Sequence, residues 1–190
     1  MKKYLLLTGV ACLFTAQANA EGIKPYIGMD LGASRIEYNN KVNKLLGESH
    51  SEAFLIANLN LGVKFNQYFG LEVSSQGSSE VDLKAHGYKI GDLSYSSVGL
   101  DAVGYIPLNT KLDLFAIAGV GHYSFDIKAG KYDKWEVHEI LNKTAFRAGL
   151  GTQYNINDKW SIRGMFRYHH IDNDYIDYIG EATVGVRYNF

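Results

Sequence analysis

Six histidines, His50, His86, His122, His138, His169 and His170, are the side chains best suited to bind Zn²⁺ or to move a proton between pH 5 and 8. One of them opens the run His122-Tyr123-Ser124, with Glu136 or Glu139 further on as a candidate acid. A base beside a hydroxyl, oriented by a carboxylate, is the arrangement that turns serine into a nucleophile. A second set is charged: Asp30, Glu72, Asp101 and Glu181 against Lys64, Arg147, Arg163, Arg167 and Arg187. Guanidinium groups bridge two carboxylates, so these residues suit a paired network at least as well as catalysis. The third set lies within Lys128 to Lys143, where Tyr132, Trp135, Val137, Ile140 and Leu141 are unusually apolar for a segment that only meets water. Large anchors of this kind dominate binding interfaces.

What these residues can do depends on the elements that hold them. The chain has 190 residues with 46% hydrophobic and 13% aromatic side chains, a composition that folds as one domain rather than staying disordered. One cysteine excludes a disulfide framework and a multi-thiolate metal site. The balance of 19 basic against 20 acidic residues offers no stripe for nucleic acid. Apolar residues recur at every second position: Leu55, Ala57, Leu59, Leu61, Val63 and Phe65 oppose Asn58, Asn60, Gly62 and Lys64. The same period of 2, the mark of strands with unlike faces, runs through Ile27–Ala33, Val98–Ile106, Phe146–Tyr154, Ile162–Tyr168 and Val184–Phe190. Strands near Phe69–Ser78 and Leu112–Asp126 bring the number to eight. In Leu112–Asp126 both phases are apolar, and the even set, Leu114, Ala116, Ala118 and Val120, is assigned to the outward face.

The connections alternate strictly. Asn66-Gln67-Tyr68, Asn109-Thr110-Lys111 and Asn155 to Lys159 are short, whereas 37–52, 79–92, 127–143 and 171–179 are long and polar. Short periplasmic turns and long external loops give this rhythm in a transmembrane β-barrel. Phe65, Tyr68, Phe69, Tyr105, Tyr154, Trp160, Tyr188 and Phe190 at the turn ends, and Tyr38, Phe54, Tyr95, Tyr123, Phe125 and Tyr168 at the loop ends, are expected to form two interfacial girdles. Met1 to Ala20 has the parts of a secretory signal: Lys2-Lys3, an apolar core from Tyr4 to Phe14, and the exit Ala18-Asn19-Ala20. Gly9 stands where a lipoprotein signal would carry a large aliphatic before Cys12, so cleavage before Glu21 is expected. Residues 1–20 are then a signal peptide, residues 21–190 the barrel domain, and the remaining charge is near −3.

The chain ends Thr183-Val184-Gly185-Val186-Arg187-Tyr188-Asn189-Phe190, which resembles the C-terminal assembly signal of Gram-negative outer-membrane proteins. With Tyr26 to Gly32 and Trp160 to Tyr168, it makes the mature chain similar to the small OmpA-like eight-stranded outer-membrane barrels, and closer to the short OmpX/Ail-like ones. The resemblance implies an all-β, eight-stranded antiparallel transmembrane barrel in the cell outer membrane, inserted by the barrel-insertion machinery through Gly185, Tyr188 and Phe190. It implies outer-membrane lipid and lipopolysaccharide as surroundings, a monomer, and adhesion to a host or matrix ligand as a function class, with no nucleic acid. A soluble lipocalin-like barrel fits the terminal Phe190 and the alternating connections less well.

An eight-strand interior is just wide enough for side chains to fill. Asp30, Glu72, Asp101, Arg147, Arg163 and Arg167 are therefore expected to pair inside a plugged lumen, with Arg147 and Arg167 as hubs and Lys64 and Arg187 hydrated at the barrel ends. A small-solute or ion channel is the alternative. The histidines are expected at the loop end because lipid and short turns exclude them elsewhere, and neither metal nor cofactor is expected. The His122-x-Ser124 run is similar to that of outer-membrane lipid A deacylases, but Phe125 replaces the expected asparagine, and no enzyme activity is expected. Gly119-x-Gly121 and Gly149-x-Gly151 lie inside strands and serve packing rather than phosphate binding. Asn142-Lys143-Thr144 has only the form of a glycosylation sequon. Tyr132, Trp135 and Ile140 are the expected recognition residues.

Overall fold

The computed structural model of the chain describes residues 22–38, 51–85, 88–129, 137–171 and 176–190. Among them are nine strands: β1 (Lys24–Tyr38), β2 (Ser51–Lys64), β3 (Phe69–Ser78), β4 (Val81–Ala85), β5 (Tyr88–Pro107), β6 (Leu112–Ala129), β7 (Val137–Asn155), β8 (Trp160–Ile171) and β9 (Ile176–Asn189). All pairings are antiparallel, and β9 returns to β1 to close the sheet. β3 and β4 both pair with β5 and are two halves of one stave, so the barrel has eight. At the break between them Ser79 still donates its backbone N–H to Leu55 O at 2.7 Å, which keeps the stave in the wall.

Three turns at one end share a single construction. Asn66, Asn109 and Asn157 each accept, through Oδ1, the backbone N–H groups two and three residues on, at 2.8–2.9 Å. The side chain thus substitutes for a backbone acceptor and fixes the reversal, as Asx turns do. Sequence supplies this as Asn-x-x followed by Phe69, Leu112 or Trp160, three times.

The outward face is apolar over a limited height. On β6 the apolar outward residues run from Leu112 to Val120, and on β7 from Phe146 to Tyr154, each within the roughly 9–11 residues that a tilted strand needs to cross a bilayer. Leu150, Phe166 and Leu55 are 69–75% exposed, as side chains that face lipid rather than protein are. Beyond this band the outward positions become polar: Arg35, Ser96, His122, Ser124, Asn142, Thr144 and His170. The even-outward phase of β6 agrees with this burial, since Phe115 and Ile117 are buried and Leu114 and Val120 exposed.

Two expectations need correction. Of the four segments read as long polar loops, much is strand: β4 and the start of β5 occupy 79–92, while β6 and β7 stay paired as far as Ala129↔Val137. The backbone ladders run on without a break, so the hairpins continue beyond the apolar band. From Tyr88 to Ser97, β5 adds about 30 Å of strand at ~3.3 Å per residue. The second correction concerns the girdles. Phe65, Tyr68, Phe69, Tyr154, Trp160 and Phe190 are outward at the turn end, and Tyr168 at the other. Tyr105, Phe54, Tyr95, Tyr123 and Phe125 are buried inside the barrel instead, because each falls on the inward parity of its strand. The side chain of Tyr38 lies outside the described residues.

A charge on the outward wall should therefore cost stability according to depth. Leu150→Arg, in the middle of the apolar run of β7, is expected to lower the unfolding free energy in lipid vesicles by about 2–4 kcal/mol, and Thr144→Arg by about 0–1 kcal/mol. Equal effects in urea titrations would place the band wrongly.

Candidate functional site: the barrel interior and its external end

The interior is built in tiers from the short-turn end outward. In the first, Arg163 from β8 holds two carboxylates: Nε donates to Asp30 Oδ1 at 2.8 Å, Nη2 to Asp30 Oδ2 at 2.5 Å, and Nη1 to Glu72 Oε2 at 2.9 Å. Arg187 from β9 also pairs with Glu72 and donates to Tyr105 Oη at 3.0 Å and Gln153 Oε1 at 2.9 Å. Tyr26 donates to Glu72 at 2.8 Å and Asn60 to Asp30 at 2.6 Å. Two guanidinium groups and two carboxylates cancel, and neutral donors occupy remaining lone pairs. Buried charges require such pairing, since a lone one costs several kcal/mol.

The second tier is Arg147 on β7, which pairs with Asp101 on β5 and donates to Ser74 Oγ at 2.8 Å. Gly99 makes this reach possible: a Cβ there would lie 2.2 Å from the Arg147 guanidinium. Gly62 does the same for the Tyr26 ring, also at 2.2 Å. In the third tier Arg167 pairs with Glu181 at 3.1 Å, and His169 Nε2 lies 3.2 Å from the same carboxylate oxygen. Gln76 donates to Glu181 Oε1 at 2.6 Å and to Tyr95 Oη at 2.9 Å, and Tyr95 donates to Ser34 Oγ at 2.6 Å. His169 Nδ1 and the Tyr123 hydroxyl share a hydrogen bond.

Above this tier the contents change character. Ile36, Phe54, Ile56, Leu93, Tyr95, Tyr123, Phe125, Ala145, Ile171 and Ile179 form one buried apolar cluster. Its rings touch in series: Phe54 and Tyr95 edge to face at 5.4 Å, Tyr95 and Phe125 at 5.8 Å, Tyr123 and Phe125 at 6.3 Å. The cluster lies at the height where outward positions are polar, so the projecting barrel is built like a water-soluble one.

All six residues expected in the charge network, Asp30, Glu72, Asp101, Arg147, Arg163 and Arg167, are buried inside the barrel in ion pairs. The hubs differ from expectation. Arg147 and Arg167 each hold one carboxylate, whereas Arg163 bridges two. Arg187 is not hydrated at a barrel end: it is 1% exposed, stacked 4.3 Å from the Tyr26 ring, which shields it from the mouth. Lys64 is only partly hydrated, 3.6 Å from Asp113 and 4.0 Å from the Tyr105 ring centroid. Sequence reasoning missed Tyr26, Gln76, Tyr95 and Tyr123 as interior residues. Parity signalled all of them, because each shares the inward phase of a charged residue on its own strand or on the strand paired with it.

His169 is likewise inside rather than on the rim, on the inward parity of β8, while His122 and His170 face outward. His50 and His86 lie outside the described residues, as does the His138 side chain, and no group of three metal-capable side chains occurs among the described ones. Ser124 donates its hydroxyl to Asn142 Oδ1 at 2.8 Å, not to a histidine. Glu136 lies outside the described residues, and Glu139 pairs through its backbone with Ile127, three residues beyond Ser124. Tyr132 and Trp135 also lie outside them; Ile140 is on β7 opposite Asp126. Gly185 sits where a Cβ would meet Asp30 Oδ1 at 2.0 Å, and Tyr188 packs between Trp160 at 5.0 Å and the terminal Phe190 at 5.1 Å.

Residues 5–190 match the outer membrane protein beta-barrel domain family. Among solved structures the chain is similar to Ail, the attachment invasion locus protein of Yersinia pestis, with 22% identity, 90% of this chain and 100% of that one covered, and a TM-score of 0.62. It is similar to Neisserial surface protein A with 15% identity, the same coverages and a TM-score of 0.67. The outer membrane protein OprG of Pseudomonas aeruginosa shares 14% identity over 89% of this chain and 96% of its own, with a TM-score of 0.58. At these identities the likeness is one of fold. Comparison with curated protein sequences gives no significant match.

The Asp101–Arg147 pair supports a direct test. Arg147→Met alone should destabilise the barrel by about 3–5 kcal/mol by leaving Asp101 buried and unpaired, while Arg147→Met with Asp101→Leu should recover most of that loss. Urea unfolding of both variants in lipid vesicles checks this; equal losses would mean that the pair is not the source of the cost.

Proposed function

The chain belongs to the outer membrane protein β-barrel family, and from that premise we propose that it is a plugged surface barrel whose projecting hairpins and their tips recognise a ligand outside the cell. The carrying observation is the filling of the interior. Three tiers of charge and hydrogen-bonding side chains lie beneath an apolar cluster, which leaves the outer end as the surface available for work. Function concentrates on loops carried by rigid scaffolds, and here the scaffold itself extends beyond the lipid band.

In this reading residues 1–20 are a signal removed before Glu21, and Gly185, Tyr188 and Phe190 form the assembly signal read by the insertion machinery. Tyr132 and Trp135, in the segment between β6 and β7, and Ile140 on β7 are the recognition anchors, and lipopolysaccharide surrounds the outer half of the wall. Adhesion to a host or matrix component is the function class. One Ail structure is a complex with the heparin analogue sucrose octasulfate, which makes heparin a reasonable first probe for this chain.

The test is binding of the folded chain, whose mass should begin at Glu21, to immobilised heparin and to extracellular-matrix protein, before and after residues 128–143 are replaced by a short Gly-Ser turn. Loss of at least tenfold in affinity for one of the probes is expected, on the order of 1.4 kcal/mol. An unchanged profile removes the tip from the recognition surface.

A further inference from the structure

The opposite end of the barrel carries a feature that neither lumen pairing nor surface recognition explains. Lys24, the first residue of β1, is the direct cross-strand partner of Lys64 at the end of β2. Like charges placed opposite each other destabilise a sheet. Both residues line one cavity of about 380 Å³, together with Lys111 and Thr110 of the β5–β6 turn.

The rest of the wall supplies neutral hydrogen-bonding groups. Asn155 from β7, Asn157 from the β7–β8 turn and Asn189 from β9 line the same cavity, with Asp158 as its one acidic member. Four strands and two turns therefore converge there. Beneath them Asp113 is shared: Lys64 lies 3.6 Å from its Oδ2, and Asn155 donates to that oxygen at 3.2 Å. Lys24 and Lys111 have no carboxylate partner among the described residues. The backbone bearing Lys111 is fixed, since its N–H donates to Asn109 Oδ1 at 2.8 Å.

Three lysines lining one polar cavity at the short-turn mouth, two of them cross-strand partners, make a receptor for negative charge. The Asp113 carboxylate offsets one of them, Lys64, and with Asp158 also in the wall the mouth keeps an excess of one positive charge. An entering oxyanion would meet the other two together with amide donors, and would relieve the repulsion between Lys24 and Lys64. A multi-donor ammonium group is a compact point charge suited to phosphate and carboxylate alike.

We propose that this mouth binds a single oxyanion group, a phosphate or a carboxylate, offered from the periplasmic side. Only the side from which the anion comes rests on the outer-membrane reading; the binding itself does not. The two periplasmic sources are free phosphate and the carboxylates of cell-wall peptide.

The test is a chemical-shift titration of the folded chain in neutral detergent micelles at low salt, with inorganic phosphate in one arm and a purified muropeptide in the other. Saturable shifts confined to the amides of Lys24, Lys64, Thr110, Lys111 and Asn157 are expected, and whichever arm saturates at lower concentration identifies the source. Lys24→Gln with Lys111→Gln should weaken binding at least tenfold, while Lys143→Gln, at the other end of the barrel, should leave it unchanged. Retained heat-modifiable gel migration shows that each variant is folded. The proposal fails if neither probe gives a saturable shift, if the double variant titrates like the parent, or if Lys143→Gln weakens binding as much. Micelles impose no orientation, so a failure of the membrane topology would change the source of the anion and leave the titration intact.

Discussion

Everything in this molecule follows from the need to fill a narrow cylinder whose wall is a single sheet. Eight staves leave an interior that side chains must occupy, and the strand period of 2 delivers to it every second residue. Where the outer face is apolar, the residues left for the interior are Asp30, Glu72, Asp101, Arg147, Arg163, Arg167, Glu181 and Arg187. Taking these from water without partners would cost more than the whole stability of an ordinary domain. Their mutual pairing is therefore a condition for the barrel to exist. The inward glycines belong to the same constraint: Gly62 and Gly99 give up their own side-chain volume so that Tyr26 and Arg147 can cross towards their partners.

The polarity of the wall reverses partway along the axis, and the contents reverse with it. Above Val98, Val120 and Phe146 the outward residues are polar and the interior holds Phe54, Leu93, Tyr95, Tyr123, Phe125 and Ile171. One cylinder thus combines two solvent environments, lipid below and water above, with ion pairs inside the first and an apolar core inside the second. His169 and Tyr95 sit where the two kinds of filling meet, each bonded into the polar tier while packing against the apolar one. On the proposed reading this is why recognition belongs to the outer end: the part that stands in water has its own core and does not depend on the bilayer for rigidity.

Much of this was legible in the sequence, because burial on one face imposes alternation. Leu55 to Phe65 reveal their outward parity without help, and the even phase of β6 follows from Leu114 to Val120. The charged interior follows from the same parity. What misled was aromatic type. Position near strand ends assigns Tyr105, Phe54, Tyr95, Tyr123 and Phe125 to the girdles, although their parity points inward. Polar composition in turn suggests loops at 79–92 and 127–143, where β4, the start of β5 and the paired ends of β6 and β7 are in fact strand. The place of Arg187 in the chain suggests an end residue because its backbone is near the mouth; its side chain lies under the Tyr26 ring, and a stacking partner on β1 has no signature in the local sequence. Which arginine bridges two carboxylates was equally out of reach, since Arg163, Asp30 and Glu72 are brought together only by closure of the barrel.

The central claim is that the filled interior excludes ion passage, and the most direct measurement is single-channel recording of the folded, heat-modifiable protein in a planar bilayer. The account predicts a silent membrane with at most brief, small openings across the voltage range that leaves the bilayer intact. A sustained conductance of large unit size would contradict it, because no such current can pass while the Arg163–Glu72–Arg187 tier, the Arg147–Asp101 pair and the Phe54–Tyr95–Phe125 cluster remain in place.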